Sequence, residues 1–218
     1  MYKHVLFDLD GTLVDTLPLI EYSYRTLFQE NPQYGDLSEE AMRLLGLPLT
    51  GILERLVPAA DVPVFADEYM RLYREKHDEL IRSYPGMLEA VAKVVQEGAV
   101  VGVVTSKARE TTEWALDDMG LLGLVDVIIT AEDVKSHKPS PDPILTAMRM
   151  LQAPRNGTLY VGDSPFDIQA ARAAGVDVAA VTWGAFDKDD LKGLEPTYLL
   201  DEPGELIGVV LGKSQHMS

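Results

Sequence analysis

Two aspartates close the first apolar run of the chain. Residues 5–16 read VLFDLDGTLVDT, so Asp8 and Asp10 follow a short hydrophobic segment and stand just before Gly11. Aspartate is a poor strand former, so its place at the end of an apolar strand needs a reason. Carboxylates at this spacing can cap a helix, bind a metal ion or act as a catalytic pair. The pair alone leaves all three interpretations open.

Polar side chains also follow three later apolar runs. Thr105-Ser106-Lys107 closes one run, Lys138-Pro139 lies beyond the next, and GDSPFD at 162–167 closes a third. In an open α/β sheet, ligands bind beyond the carboxyl ends of the strands. The sequence therefore predicts that several acids, a hydroxyl and a lysine meet at one edge of a sheet.

These residue types suit phosphoryl transfer. A carboxylate can attack phosphorus and form an acyl phosphate, which divides a difficult displacement into two easier steps. Crowded carboxylates need a hard cation, and a ligand set made only of oxygens favours Mg²⁺. A hydroxyl, a lysine and turn N–H groups can hold the phosphate oxygens. A second carboxylate, with its pKa raised by its neighbours, can protonate the leaving group and later deprotonate water.

The elements that must position these residues alternate between strand and helix. This pattern predicts an α/β fold, a Rossmann-like doubly wound parallel sheet. The predicted strands are 4–7, 100–105, 125–130, 158–161 and 177–181, and the predicted helices between them are 86–96, 109–119, 141–151 and 167–174.

Residues 15–83 follow a different pattern. They carry helical periodicity at 19–30, 38–45, 49–57 and 64–82 and no convincing strand. An all-helical insert directly after the first strand predicts a cap over the active edge, with residues 1–14 and 84–218 forming the core. The segment GLPLTG at 46–51 is either a plain interhelical loop or a specificity loop that closes over the site. Arginines 43, 55, 71 and 74 are all candidate anion contacts in the cap.

The charge balance restricts the partners. The chain has 19 Lys and Arg against 35 Asp and Glu, a formal net charge of −16. Such a field opposes nucleic acids and anionic membranes, so neither is expected as a partner. It also repels phosphate, so a phosphate site needs lysines, backbone N–H groups or a cation close by.

The remaining composition excludes other classes of function. The chain has no cysteine, which excludes disulfides and thiolate catalysis. No apolar run approaches the roughly 20 residues that span a bilayer. Because the first apolar run reaches acids by Asp8, we expect no signal peptide and a cytoplasmic location. The polar segment GKSQHMS at 212–218 is predicted to be frayed.

Four motifs, taken in order, resemble those of haloacid dehalogenase-like (HAD) phosphatases. They are DLDGT at 8–12, Thr105, Lys138-Pro139 and GDSPFD at 162–167. The similarity covers nearly the whole chain, with residues 17–82 in the place of the family's helical cap. It implies that Asp8 is the nucleophile and that Asp10 is the general acid and base, whose backbone carbonyl also helps to bind Mg²⁺.

The same resemblance implies the other site roles. Asp163 matches a metal ligand, and Asp167 matches a supporting acid that binds or orients the metal shell, so the implied Mg²⁺ site comprises residues 8, 10, 163 and 167. Thr105, Ser106 and Lys138 match the phosphate-holding residues. Lys135 is a rival for Lys138, but the proline that follows favours Lys138.

Each assignment has a purely structural alternative. Asp167 can be only a helix cap, since acids favour such positions, and Thr105 can reflect β propensity alone. Lysine 107, arginine 109 and histidine 137 have no assigned chemistry and are interpreted as solvated or locally bonded. Histidine 77 and tryptophans 114 and 183 are interpreted as packing residues, with a place at the entrance of the site as the alternative for tryptophan 183.

Longer stretches resemble one group within the family. HDEL at 77–80, VGVVTSKARETTE at 101–113, VDVIITAEDVKSHKPSPDP at 125–143 and VTWG at 181–184 are similar to HAD-type bacterial pyrophosphatases. Phosphoglycolate phosphatases share the four motifs and the cap type. The resemblance implies Mg²⁺-dependent hydrolysis of a small phosphorylated substrate, inorganic pyrophosphate first and phosphoglycolate or another small monoester second. Thr12 disfavours a phosphosugar mutase, and the intact motifs disfavour a non-catalytic binding protein.

Overall fold

A computed structural model describes residues 1–212. The segment 213–218, most of the predicted frayed stretch, lies outside the described residues. In chain order the strands are β1 (His4–Phe7), β2 (Val14–Asp15), β3 (Arg82–Ser83), β4 (Val100–Val104), β5 (Val127–Ile129), β6 (Thr158–Gly162), β7 (Asp177–Val181) and β8 (Tyr198–Leu200). Six of them form one sheet in the order β5-β4-β1-β6-β7-β8, and every neighbouring pair in it is parallel.

The register of this sheet brings the strand ends to one level. Phe7 pairs with Val103 on β4 and with Val161 on β6. Asp8 therefore leaves the sheet beside the ends of both neighbours, and its backbone N–H donates to the Val161 carbonyl at 2.9 Å. The central position of β1 places the first acid between the two strands that lead to Thr105 and Asp163.

Helices cover both faces of the sheet. The ten α-helices are α1 (Leu17–Glu30), α2 (Ser38–Met42), α3 (Leu49–Leu56), α4 (Val62–Leu80), α5 (Met87–Gln96), α6 (Arg109–Asp118), α7 (Asp142–Leu151), α8 (Pro165–Ala174), α9 (Lys188–Gly193) and α10 (Glu205–Val210), counted over residues 1–212. Because side chains alternate along a strand, Val5 and Phe7 pack with α5, α6 and α10, and Leu6 packs with α7, α8 and α9. The doubly wound α/β fold is thus confirmed.

Helices α1 to α4 pack around a hydrophobic core of their own. Tyr24, Phe28, Phe65, Tyr69 and Tyr73 are buried in it. The chain enters and leaves this helical cap through β2 and β3, which pair antiparallel, with Val14 opposite Ser83. This two-residue pair lies at the predicted boundary between core and cap and is missing from the sequence interpretation.

The other differences are shifted element ends and three short elements after residue 187 that were not predicted. Strand β5 is shorter than predicted, because Leu122–Leu124 form a 3₁₀ turn and the chain is extended only briefly afterwards. Strand β8 and helices α9 and α10 are absent from the prediction. No helix within residues 1–212 is both long enough and apolar enough to cross a membrane.

Candidate active site

The turn after β1 is held close to the third acid of the site. Gly11 has φ +77°, a conformation that glycine adopts without steric cost. A Cβ at Gly11 would also collide with the carboxylate of Asp163. The N–H groups of Leu13 and Val14 both donate to the Leu9 carbonyl, which makes the turn tight. Glycine is thus required here both by the backbone angle and by the approach of Asp163.

A buried lysine joins two of the acids. Lys138 Nζ lies 2.9 Å from Asp8 Oδ1 and 2.7 Å from Asp167 Oδ1, and it donates to Tyr160 Oη at 3.3 Å. The Lys138 side chain is only 1% exposed. Burial alone would lower the pKa of Lys138, but the carboxylates of Asp167 and Asp8 outweigh it and raise that pKa well above its usual value. The rival lysine 135 is exposed.

Asp167 serves both as a helix-capping residue and as a partner of the site lysine. Ser164 is the N-cap of α8, and its N–H and Oγ both donate to Asp167 Oδ2, at 3.0 and 2.6 Å. The other oxygen, Oδ1, accepts from Lys138 and from Tyr160 Oη. A Cβ at Gly162 would collide with this carboxylate. Asp167 therefore caps α8 with one oxygen and holds Lys138 with the other.

Asp163 is fixed from two sides. Thr12 Oγ1 donates to its Oδ1 at 3.2 Å, and the N–H of Ala185 donates to its Oδ2 at 2.8 Å. A Cβ at Gly184 would collide with the Asp163 side chain. Trp183 Nε1 donates to the Thr12 carbonyl at 3.1 Å, so this tryptophan supports the turn after β1 as well as packing against the core.

The three buried carboxylates fit a hard metal ion. Asp8, Asp163 and Asp167 each offer an oxygen, and these oxygens lie within 4.8 Å of one another. Burial raises the pKa of Asp8 to about 7, an effect that Lys138 opposes and that Asp167 and Asp10 reinforce. Burial, then Asp167 and Asp8, also raise the pKa of Asp163 well above its ordinary value. A cation bound there would favour the ionised carboxylates, and a donor set made of oxygens suits Mg²⁺.

Asp10 has a partner that the sequence analysis missed. Lys107 Nζ donates to Asp10 Oδ1 and Oδ2 at 2.9 and 3.1 Å, and Thr16 Oγ1 donates to Oδ1 at 2.6 Å. The same ammonium lies 4.5 Å from the centroid of the Tyr73 ring, which belongs to the cap. Burial alone would lower the pKa of Lys107, but Asp10 and then Tyr73 raise it. The available sequence signal was the position of Lys107 two residues after Thr105.

Thr105 and Ser106 lie at the end of β4, as predicted. Thr105 is buried, and its Oγ1 accepts from the N–H of Lys107 at 3.2 Å. Ser106 Oγ donates to the carbonyl of Gly46 in the cap at 2.6 Å. A Cβ at Gly46 would come within 2.9 Å of Ser164 Oγ, so the predicted loop at 46–51 rests on the core at its first residue, and its last three residues belong to α3. The Ser106 side chain thus joins core to cap, while Thr105 remains on the core side.

A cavity of about 450 Å³ lies between the cap and these strand ends. Its core side is polar and its cap side is mostly apolar. The core side includes Asp8, Asp10, Thr105, Ser106, Lys107, His137, Asp163 and Ser164; the cap side includes Ile20, Tyr24, Leu45, Leu47, Leu49, Ile52, Tyr69, Met70, Tyr73 and Arg74. Such a cavity, with a few convergent polar groups, has the size and character of a small-molecule site.

Two predicted packing residues join the cap to the core away from the acids. The rings of His77 and Trp114 are stacked, with centroids 3.5 Å apart and planes at 15°. His77 Nδ1 also lies 3.5 Å from Asp118 Oδ2. Arg109 pairs with Glu113 and Asp133 and has no contact with the acids of the site. These placements agree with the structural interpretation of all three residues.

The chain has relatives that are similar in sequence over nearly its whole length. The model of the haloacid dehalogenase-like hydrolases matches residues 5–181. The chain is 37% identical to PpaX of Caldanaerobacter subterraneus subsp. tengcongensis over 209 residues, 95% of this chain and 94% of that protein. It is 35% identical to the pyrophosphatase PpaX of Halalkalibacterium halodurans over 208 residues, 94% and 95% of the two chains.

Solved structures share the fold. A hydrolase from Pseudomonas syringae superposes with a TM-score of 0.87 at 22% identity, over 97% of this chain and 99% of that one. A predicted phosphoglycolate phosphatase from Haemophilus somnus 129pt superposes with a TM-score of 0.86 at 23% identity, over 95% and 97%. With the match of the family model to most of the chain, the conclusion is that this protein belongs to the haloacid dehalogenase-like hydrolases and is a phosphatase of that family.

Proposed function

We propose that the protein hydrolyses a small phosphorylated substrate through an aspartyl phosphate on Asp8, with Mg²⁺ as cofactor and inorganic pyrophosphate as first substrate. The observation that carries the proposal is the position of Asp8. Its carboxylate lines the cavity, 2.9 Å from the buried ammonium of Lys138 and beside Asp163.

In the first step the substrate phosphate lies against the strand ends. A carboxylate oxygen of Asp8 attacks phosphorus, so a new P–O bond forms while the bond from phosphorus to the leaving oxygen breaks. Asp10 gives its proton to that leaving oxygen. Thr105, Lys138 and the backbone N–H of Ser106, whose hydroxyl already donates to the Gly46 carbonyl, hold the remaining phosphate oxygens with charge-assisted bonds that strengthen as negative charge develops.

In the second step water attacks the phosphorus of the aspartyl phosphate. Asp10, now ionised, takes a proton from that water. The bond between phosphorus and the Asp8 oxygen breaks, which releases inorganic phosphate and regenerates the carboxylate. Asp10 thus returns to its protonated state, and the cycle balances as the consumption of one water per bond cleaved.

The acids divide into two roles in this proposal. Asp8, Asp163 and the backbone carbonyl of Asp10 hold Mg²⁺, which when bound neutralises phosphate charge and keeps the carboxylates ionised. Asp167 supports the site through Lys138, because each of its oxygens already accepts two hydrogen bonds, whereas each oxygen of Asp163 accepts one. The positive charges of Lys138 and of a bound cation would offset the repulsion between the acidic chain and phosphate.

Two observations bear on the substrate. The similarity to the pyrophosphatase PpaX, at 35% identity over nearly the whole chain, supports inorganic pyrophosphate. The apolar cap side of the cavity supports a second candidate, a small organic monoester such as phosphoglycolate, because it offers contacts for carbon atoms. A phosphosugar mutase and a non-catalytic binding protein remain the disfavoured alternatives.

A substrate panel tests the proposal. Purified protein with Mg²⁺ is assayed for phosphate release from pyrophosphate, phosphoglycolate and other monoesters, and kcat/KM is compared. We expect Mg²⁺-dependent turnover, with pyrophosphate giving the highest kcat/KM. Higher kcat/KM for phosphoglycolate would select the second candidate. Absence of turnover across the panel would favour the binding protein.

A further inference from the structure

We propose that Arg74 of the cap binds a negatively charged leaving group, so that the preferred substrates are phosphate compounds whose leaving group is itself an anion. A second phosphate and a carboxylate both belong to this class. The inference rests on the proposed phosphohydrolase function of the same cavity and identifies the group that recognises the other half of the substrate.

The structure selects Arg74 from the four cap arginines. Arg43 is exposed and lies 3.7 Å from Glu39, Arg55 bonds the Gly51 carbonyl, and Arg71 pairs with glutamates 30, 68 and 75. None of these three lines the cavity. Within residues 15–83, all of them described, Arg74 is the only lysine or arginine that lines it.

The present partner of Arg74 is easily replaced. Arg74 Nη2 donates to Glu110 Oε2 at 2.8 Å, across the boundary between cap and core. The two side chains are 49% and 69% exposed, and ion pairs at such exposure contribute little to stability. A guanidinium presents a planar fork of donors that matches phosphate and carboxylate oxygens. An anion in the cavity can therefore displace Glu110 at low cost.

The backbone that carries Arg74 is held in place. One turn further along α4, the ring of His77 stacks on Trp114 of α6, and one turn back Met70 lines the cavity. This packing fixes α4 against α6 while the guanidinium remains at the rim. The fold therefore positions the Arg74 backbone, while half of its side chain is exposed to solvent.

An anionic leaving group needs the Arg74 charge, because the lysines near the cavity are already paired with aspartates. Lys107 bonds both oxygens of Asp10, and Lys138 lies between Asp8 and Asp167. His137 lines the core side, and the rest of the cap side is mainly apolar or phenolic. An anion placed under that surface without a counter-charge would be strongly disfavoured. Arg74 supplies the missing charge from the cap.

The test is a comparison of leaving groups. Arg74→Met and the matched control Arg71→Met, on the same helix but outside the cavity, are assayed on pyrophosphate, phosphoglycolate and phenyl phosphate, whose leaving group is uncharged. Loss of one charge-assisted contact predicts a fall of roughly 10- to 100-fold in kcat/KM for the two anionic leaving groups in Arg74→Met. We expect phenyl phosphate hydrolysis to change little, Arg74→Lys to recover part of the loss, and Arg71→Met to behave as wild type.

The outcomes separate this inference from the proposed function. An equal loss on all three substrates, no loss on any, or a wild-type preference for phenyl phosphate would overturn the role of Arg74 while leaving the phosphatase intact. If wild type hydrolyses nothing, the proposed function fails, and titration calorimetry still tests Arg74. Pyrophosphate with Mg²⁺ is titrated into Asp8→Asn and into Asp8→Asn/Arg74→Met. We expect roughly 10-fold or more weaker binding in the double variant, and equal binding would contradict the assignment.

Discussion

Lys107 holds both carboxylate oxygens of Asp10, at 2.9 and 3.1 Å, while its ammonium faces the ring of Tyr73 in the cap. One side chain, only 9% exposed, thus contacts the proposed acid and base of the core and a ring of the helical cap. The contact between cap and core and the placement of Asp10 therefore depend on the same lysine.

Removal of the Lys107 charge should lower kcat more than it raises KM. In Lys107→Met, the Asp10 carboxylate keeps the Thr16 hydroxyl as its one side-chain partner among residues 1–212, so it is less well placed for proton transfer. Correctly positioned proton transfer contributes about 10²- to 10⁴-fold, so we expect kcat to fall at least 10-fold. Steady-state kinetics measure the effect. Lys107→Arg should retain more activity, and a change confined to KM would contradict the positioning role.

Lys138 should be essential for stability as well as for activity. Lys138→Met leaves Asp8 and Asp167 buried without their shared cation, and breaking a buried pair in this way costs about 3–5 kcal/mol. Urea unfolding without metal measures the loss. Lys138→Met/Asp167→Asn removes one of the two stranded charges and should recover part of the free energy of unfolding. If the two substitutions were simply additive, the proposed coupling would be wrong.

Gly184 should tolerate no side chain. A Cβ there would collide with Asp163, so Gly184→Ala displaces a proposed metal ligand and should cost about 1–3 kcal/mol of stability. Gly193→Ala is the matched control, because a Cβ at Gly193 meets nothing within 4 Å. Thermal unfolding and Mg²⁺ titration measure both variants. Equal behaviour of the two variants would show that the contact with Asp163 has no consequence.

Mg²⁺ affinity should fall as the pH is lowered through neutrality. The pKa of Asp8 in the metal-free protein is raised to about 7, and metal binding requires the ionised carboxylate. A proton therefore competes with Mg²⁺ below that pKa, and the apparent dissociation constant should rise about tenfold between pH 8 and pH 6. Calorimetry in buffers of different ionisation enthalpy measures the released proton. A flat profile would contradict the raised pKa, and Asp8→Asn should weaken the dependence.

The features that could be predicted from the sequence are those determined by short, contiguous stretches of residues. Five strands of the sheet and the long helices follow from periodicity, and the motifs after the strands indicate Lys138 and Asp163 as candidate site residues. The pair β2–β3 and the strand β8 were not predicted, because two or three residues are too few to show a hydrophobic periodicity.

Lys107 was missed for a different physical reason. A lysine is normally solvated, and the position of Lys107 two residues after Thr105 does not by itself indicate that the side chain is shielded from water. Its environment is made by Asp10 and by Tyr73, which only the folded chain brings together. The choice of Arg74 from four cap arginines likewise depends on which face of α4 turns toward the cavity.

The central claim is that Asp8 carries the phosphoryl group. Protein mixed with substrate and Mg²⁺ is quenched in acid within one turnover, digested and examined by mass spectrometry. We predict that the peptide containing Asp8 gains the mass of one phosphoryl group, and that Asp8→Asn is folded but neither labelled nor active. A phosphorylated residue other than Asp8, or near-normal turnover in Asp8→Asn, would contradict this mechanism.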